Sequence, residues 1–304
     1  MGSNTVHLVV LDAQRGGQPT PMSDWKSTMK LVDYLDDDGA LSDKGVNKLI
    51  KGISEATELA GQFKCDQMLP IATSAIRSAT NSDTVLHQVK KDTGVELEIL
   101  SGVDEARLTF LAVRRWYGWS AGRIIDLDIG GGSLELSTGV EEEPDAAFSV
   151  NLGANRLTHE WFDADPPSQK TIGILRDFID AELVEPAKQM RAMGTADLAV
   201  GTSKTFRTLA RLTGAAPSSA GPMVKRYLTA AGLRQVIAFI SRMTAADRAE
   251  LEGVSSDRSG QIVAGALVAE AAMRALKLER LEICPWALRE GVILRHIDTE
   301  LGAD

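Results

Sequence analysis

Two α/β domains facing a cleft are what this sequence predicts, and three observations carry the expectation. The chain has 304 residues, more than one hydrophobic core usually organises. Short apolar runs alternate with amphipathic stretches, the rhythm of sheets covered by helices. That rhythm starts twice, near residue 4 and again near residue 123, each time with strands joined by hairpins before helices intervene.

Taken in order, 4–12 reads as a strand, followed by a Gly/Pro-rich turn and a second strand over about 25–31. The acidic stretch DYLDDDG reads as a solvated loop. Leu49, Ile50, Ile53, Ala56, Leu59 and Ala60 recur near the helical period and predict a helix from Ser42 or Asp43 to about Phe63. A strand over 67–72, a helix over 83–92 closed by Gly94, a strand over 95–100 and a helix over 102–117 follow. The second half gives strands at 123–129, 132–139 and 146–151, then helices at 154–162 and 168–192. It ends with strand 196–200, helix 204–213, a Pro/Ser/Gly linker, helices 229–250 and 257–276, strand 280–284 and helix 287–298. The domain boundary is drawn at 119/120, with the last helix packing back on the first domain.

Composition narrows the function. With 44% hydrophobic and 25% charged residues the chain is an ordinary globular one, and no apolar run approaches the roughly 18 residues of a membrane span. No basic n-region with an apolar core opens it, so the expected compartment is the cytoplasm. Cys65 and Cys284 stand alone and read as small buried residues; the four histidines lack ligand spacing. A net charge of −9 argues against nucleic-acid binding, and an anionic ligand has to be drawn in by local cations.

The chemistry concentrates in 124–139, IIDLDIGGGSLELSTG. Gly130, Gly131 and Gly132 followed by Ser133 let backbone amides crowd against an anion without Cβ interference. Alternation then sends Leu134 and Leu136 to one face and Ser133, Glu135 and Ser137 to the other. Asp128 enters the turn and Glu135 leaves it, a carboxylate pair suited to a hard cation clamped against phosphate; a plain glycine hairpin is the bland alternative.

Three further stretches share this chemistry. GSNT at 2–5 offers Ser3, Asn4 and Thr5 at the start of the first strand. Gly201, Thr202 and Ser203 precede a helix, where free amides and the dipole attract phosphate or where a hydroxyl simply caps the helix. Lys204, Arg207 and Arg211 give that helix a basic stripe, to which Lys225 and Arg226 add. Arg77 in ATSAIR can fork onto phosphate oxygens or form a surface ion pair. Asp104 and Glu105 fall in the first turn of helix 102–117, where acids suit the dipole and where one of them can serve as general base for a water, its pKa tuned by burial or by other carboxylates.

The strings GSNTVHLVV, ATSAIRSATN, SGVDEARLTFLAV, LDIGGGSLEL, GTSKTFRTLARL and WALREGVILR, in this order, resemble the exopolyphosphatase/guanosine-pentaphosphate phosphohydrolase (Ppx/GppA) family of the actin–hexokinase superfamily. The resemblance spans nearly the whole chain and is similar in length to short, two-domain exopolyphosphatases. It implies two actin-like (ribonuclease H-like) domains and release of orthophosphate from inorganic polyphosphate with Mg2+, Mn2+ being an alternative. By position it implies Glu105 as catalytic base and Asp128 and Glu135 at the metal. It also implies Ser3, Asn4, Thr5, Arg77, Gly130, Gly131, Gly132, Ser133, Gly201, Thr202 and Ser203 on phosphate.

In that family an apolar strand ending in Asp precedes the GSN loop, whereas here the chain begins Met1-Gly2-Ser3. The expectation is a truncated first strand, making the chain less stable and less active than one extended upstream. Three alternatives stay open. They are hydrolysis of pppGpp to ppGpp, a kinase of the same superfamily, and a sensor that binds polyphosphate or alarmone without turnover. A homodimer is compatible with the sequence, which specifies no interface.

Overall fold

The computed structural model describes residues 1–300 except 2–4, 15, 16, 18 and 37, with the side chain of 300 also outside the described set. The chain divides into two compact units, Met1–Ser101 with Ile293–Asp304, and Gly102–Val292.

In the first unit, β1 (Thr5–Asp12) and β2 (Thr20–Thr28) pair antiparallel. The second strand starts and ends earlier than the sequence suggests, because Met29 and Leu31 leave it to bury in the core. Helix α1 (Asp43–Gly61) lays Val46, Leu49 and Ile53 on that core at the predicted spacing. Strand β3 (Ile71–Ala72) is cut short behind Pro70, which has no ladder donor to give. Then come α2 (Ser74–Arg77), α3 (Ser82–Thr93) and β4 (Glu98–Ile99), with β3 and β4 parallel. Gly94 ends α3 at φ 73°, the left-handed C-cap that glycine supplies without strain. Asp36 Oδ1 accepts the amides of Asp38 and Ala40, so the acidic loop is closed by one of its own carboxylates. Cys65 is exposed, against the expectation of burial, because the residues after α1 run as turn and loop over the surface; Cys284 is buried as expected.

The second unit begins with α4 (Gly102–Tyr117) and continues with β5 (Ile124–Ile129), β6 (Leu134–Gly139), β7 (Ala146–Val150), α5 (Ala154–Trp161) and α6 (Gln169–Ala192). It ends with β8 (Leu198–Gly201), α7 (Lys204–Leu212), β9 (Tyr227–Thr229), α8 (Ala230–Ile240), α9 (Ala245–Ala249), α10 (Ile262–Ala275), β10 (Arg280–Ile283) and α11 (Leu288–Glu300). The expected single helix over 229–250 is two: the chain turns after Ile240 and restarts at Thr244, whose side chain and that of Asp247 form a capping box. One sheet runs in the order β7-β6-β5-β8-β10-β9, antiparallel at both edges and parallel across β5, β8 and β10. The carboxyl ends of those three parallel strands therefore open on one rim, where such sheets bind ligands.

Leu127, Ile129, Leu134 and Leu136 pack with α6 and α10 on one face of the sheet. On the other face Ile124 and Val200 meet Phe110 and Val113 of α4. That packing is why α4 groups with the second unit, so the division falls after Ser101 instead of at 119/120. Buried Arg114 fixes α4 to the sheet by donating to the carbonyls of Gly118 (3.1 Å), Gly122 (2.7 Å) and Gly139 (3.0 Å). At the other end of the chain, His296 of α11 bonds Gln67 within the first unit.

Gly291 in α11 has no room for a side chain, since a Cβ there would overlap the Leu108 carbonyl oxygen of α4. Gly291→Ala is expected to cost about 1–3 kcal/mol in denaturant unfolding, the usual penalty of overpacking. Wild-type stability for the variant would contradict the close approach.

Candidate active site

The 130–133 loop is shaped from behind by α5. Ala154 N donates to Gly130 O (3.0 Å), Asn155 N and Arg156 N to Gly131 O (3.0 and 2.9 Å), and Arg156 Nε to Gly132 O (3.0 Å). In a trans peptide the N–H points opposite to the C=O of the preceding residue. Engaging the carbonyls of Gly130, Gly131 and Gly132 therefore turns the amides of Gly131, Gly132 and Ser133 away from α5, all to the same side. Three amides in series form an anion nest.

Gly130 N closes the loop onto Ser133 O at 2.9 Å. None of the three glycines is among those in the left-handed region, so the glycine-hairpin reading does not explain them. A Cβ on Gly153, at the start of α5, would overlap Gly132 carbonyl carbon and Gly131 carbonyl oxygen.

Two carboxylates flank this nest. Asp128 and Glu135 are direct partners in the β5–β6 ladder and project on the face that α4 covers. Glu135 is matched in register by Ser149 of β7, whose Oγ donates to Oε1 at 2.9 Å. Burial, then the charges of Glu105 and Asp128, push the Glu135 carboxyl well above its ordinary range, and hydroxyl bonds from Ser133 and Ser149 pull it partly back. Asp128 is also raised, mainly by burial, against the Thr202 hydroxyl, Arg207 and Arg258. Glu105, in the first turn of α4, is buried and near enough for its charge to act on Glu135.

Asp126, two residues before Asp128 on the same face, is fully buried with no hydrogen-bond partner for Oδ1 among the described residues. Burial and the Asp128 charge hold its carboxyl well above the usual range. The period of two in IIDLDI already aligned it with Asp128. The Ser149 register and the Gly153 contact had no signal in the sequence, because both depend on which elements meet.

Gly201, Thr202 and Ser203 all have structural partners. Gly201 ends β8 between β5 and β10, and a Cβ there would meet the Phe206 ring at 2.9 Å. Thr202 Oγ1 donates to Asp128 Oδ2 at 2.7 Å. Ser203 caps α7 by accepting from Phe206 N. In the first unit, Arg77 Nη1 donates to Leu100 O at 2.7 Å and Thr5 opens β1; Ser3 and Asn4 lie outside the described residues.

A hard cation fits the donors present. Three acidic groups, Glu105, Asp128 and Glu135, repel one another in a buried setting, which a positive ion would relieve. Among the described residues no three His, Cys, Asp or Glu side chains enclose a metal by themselves. Two carboxylates with the remaining positions left to water and phosphate oxygens is the usual arrangement for Mg2+.

Comparison with known proteins gives the family of the chain. Residues 9–300 match the model of the Ppx/GppA phosphatase family. The chain is 64% identical over 300 residues to a Mycobacterium tuberculosis protein named Exopolyphosphatase 1, spanning 99% of this chain and 87% of that one. It is 61% identical to the Mycobacterium leprae protein of the same name, over 99% and 88%. In fold it is similar to the crystal structure of an exopolyphosphatase from Cytophaga hutchinsonii, with a TM-score of 0.88 over 98% and 96% of the two chains at 21% identity.

The buried carboxyl of Asp126 gives a stability prediction. Folding raises its pKa above the unfolded value of about 3.9, so the favourable contribution of its protonated form is complete below that pH and lost as pH rises towards the folded pKa. Asp126→Asn, neutral at every pH, is expected to raise the melting temperature more at about pH 8 than at about pH 4.5. A gain independent of pH would show that Asp126 does not titrate in this way. Gly153→Ala is expected to lower phosphate affinity at least about tenfold by displacing the loop that presents the amides, read by calorimetric titration.

Proposed function

The chain belongs to the Ppx/GppA phosphatase family, and on that premise we propose that it is an exopolyphosphatase, which cleaves the terminal phosphoanhydride of inorganic polyphosphate and releases orthophosphate. The observation that carries the reading is the set of amides of Gly131, Gly132 and Ser133, turned away from α5 in a loop flanked by Asp128 and Glu135.

The three amides hold oxygens of the terminal phosphate and donate to the charge that accumulates there as the P–O bond breaks. Glu105 orients a water and takes its proton as the water oxygen bonds to phosphorus. The anhydride bond opposite breaks, and the shortened chain leaves as an anion. Asp128 and Glu135 would hold Mg2+, which when bound supplies positive charge to the phosphate oxygens. Thr202 steadies Asp128, and Ser149 steadies Glu135, in the orientations that this requires. Arg77 and Thr5 belong to the first unit, and the reading depends neither on them nor on Ser3 and Asn4.

Orthophosphate release from defined-length polyphosphates and from pppGpp, with and without Mg2+, tests the assignment and separates the two substrates. Glu105→Gln is expected to lower release by roughly 10²–10⁴-fold while leaving polyphosphate binding near wild type. Retained turnover would remove Glu105 from the role of base. Asp128→Asn and Glu135→Gln are expected to raise the Mg2+ concentration needed for half-maximal release at least about tenfold.

A further inference from the structure

Arg248, in the short helix α9, is 1% exposed, and arginine is seldom so deeply buried without partners. Its guanidinium reaches three separate segments of the second unit. Nε donates to Ser259 O at 2.8 Å, ahead of α10. Nη1 donates to the carbonyls of Met243 (2.8 Å) and Ile240 (3.3 Å), where α8 ends. Nη2 donates to Asp165 Oδ1 at 2.7 Å, in the loop between α5 and α6. The other oxygen of Asp165 accepts the amide of Ala245, the first residue of α9.

Stability alone does not account for this arrangement. Taking a guanidinium out of water is costly, and packed apolar side chains in place of a buried ion pair are often as stable or more so. What an arginine adds is a rigid fork that fixes several acceptors relative to one another, which a lysine with its single nitrogen does not reproduce. The question is then which of the three segments needs to be fixed.

Ser259 belongs to a turn that is bonded within itself. Arg258 N and Ser259 N both donate to Ser255 O (2.9 and 3.0 Å), Ser259 Oγ to Ser256 O (3.1 Å) and Gln261 N to Arg258 O (3.1 Å). A segment tied in this way moves as one piece, so holding the Ser259 carbonyl also holds Arg258, the residue before it. Arg258 has its Nε buried, and its charge acts on Asp128. Such an interaction weakens as the charges separate, and burial leaves it little screened by water or salt. The place of Arg258 therefore matters, and Arg248 is what pins the turn that carries it.

We propose that Arg248 is a positioning residue of the active site: anchored by Asp165, it grips the Ser259 carbonyl and so keeps Arg258 in place as a counter-charge of Asp128. Arg248 itself touches no reacting atom. Its effect on turnover rests on the exopolyphosphatase reading, whereas its hold on Arg258 does not.

Two readouts test this on the full chain. The first is the Nε–H signal of Arg258 in nuclear magnetic resonance of the 15N-labelled protein, assigned by its loss in Arg258→Gln. Arg248→Lys is expected to speed exchange of that buried proton with water at least about tenfold, because the turn opens locally. The second is kcat for orthophosphate release at saturating polyphosphate and Mg2+. Arg258→Gln and Arg248→Lys are each expected to lower it about tenfold, and the two together no further than Arg258→Gln alone. A role in stability only would lower the melting temperature of Arg248→Lys and leave both exchange and kcat at wild type, which overturns the proposal. Losses that multiply in the double variant overturn it as well. Should Arg248→Lys fail to fold, Asp165→Ala at its exposed position is expected to speed the same exchange, and unchanged exchange there is equally fatal. If the wild-type chain releases no orthophosphate, the hydrolysis assignment fails by itself and the exchange measurement still decides the role of Arg248.

Discussion

The bonds from the start of α5 to the back of the 130–133 loop are the constraint from which the site follows. A glycine-rich loop has many conformations, and most of them present a mixture of carbonyls and amides. Here the amides of Ala154, Asn155 and Arg156, with the Arg156 guanidinium, occupy three successive carbonyls, and peptide planarity leaves the loop amides one direction to face. The helix end gains as well, since its first amides would otherwise lack partners. The cost is that Gly153 tolerates no side chain, because helix and loop backbones are in contact.

Around that nest the electrostatics are unfavourable without a ligand, and this is informative. Asp126, Asp128 and Glu135 share one covered face of a sheet, and each has its carboxyl pushed upward chiefly by burial. A fold selected for stability alone has no use for such a group of acids. A cation bound near Asp128 and Glu135 would relieve the repulsion between them. Arg207 and Arg258 act on Asp128 as counter-charges and offset part of the effect of its burial.

Much of this was legible in the sequence, for local reasons. Period-two alternation after the glycines put Glu135 on one face and Leu134 and Leu136 on the other, and the ladder adds Asp128 opposite Glu135. The expected helix 102–117 matches α4 to the residue. What escaped depended on elements meeting at a distance. Arg226 looked like a free cation until four carbonyls were found around it. Thr202 read as a phosphate ligand or a cap, and nothing local signalled that its hydroxyl donates to Asp128. The break at 241–244 was readable in principle from Thr244 and Asp247, but the apolar run on either side masked it. The division after Ser101 could not be read because α4 is helical in either unit, and only its packing on Ile124 and Val200 decides where it belongs.

The amide nest can be watched directly by nuclear magnetic resonance of the 15N-labelled chain during titration with a non-hydrolysable polyphosphate analogue and Mg2+. The account predicts that the backbone amide signals of Gly131, Gly132 and Ser133 shift together and saturate at the stoichiometry of binding. If the analogue binds and those three signals stay where they are, the outward-turned amides are not the phosphate site, and the reading built on them is wrong.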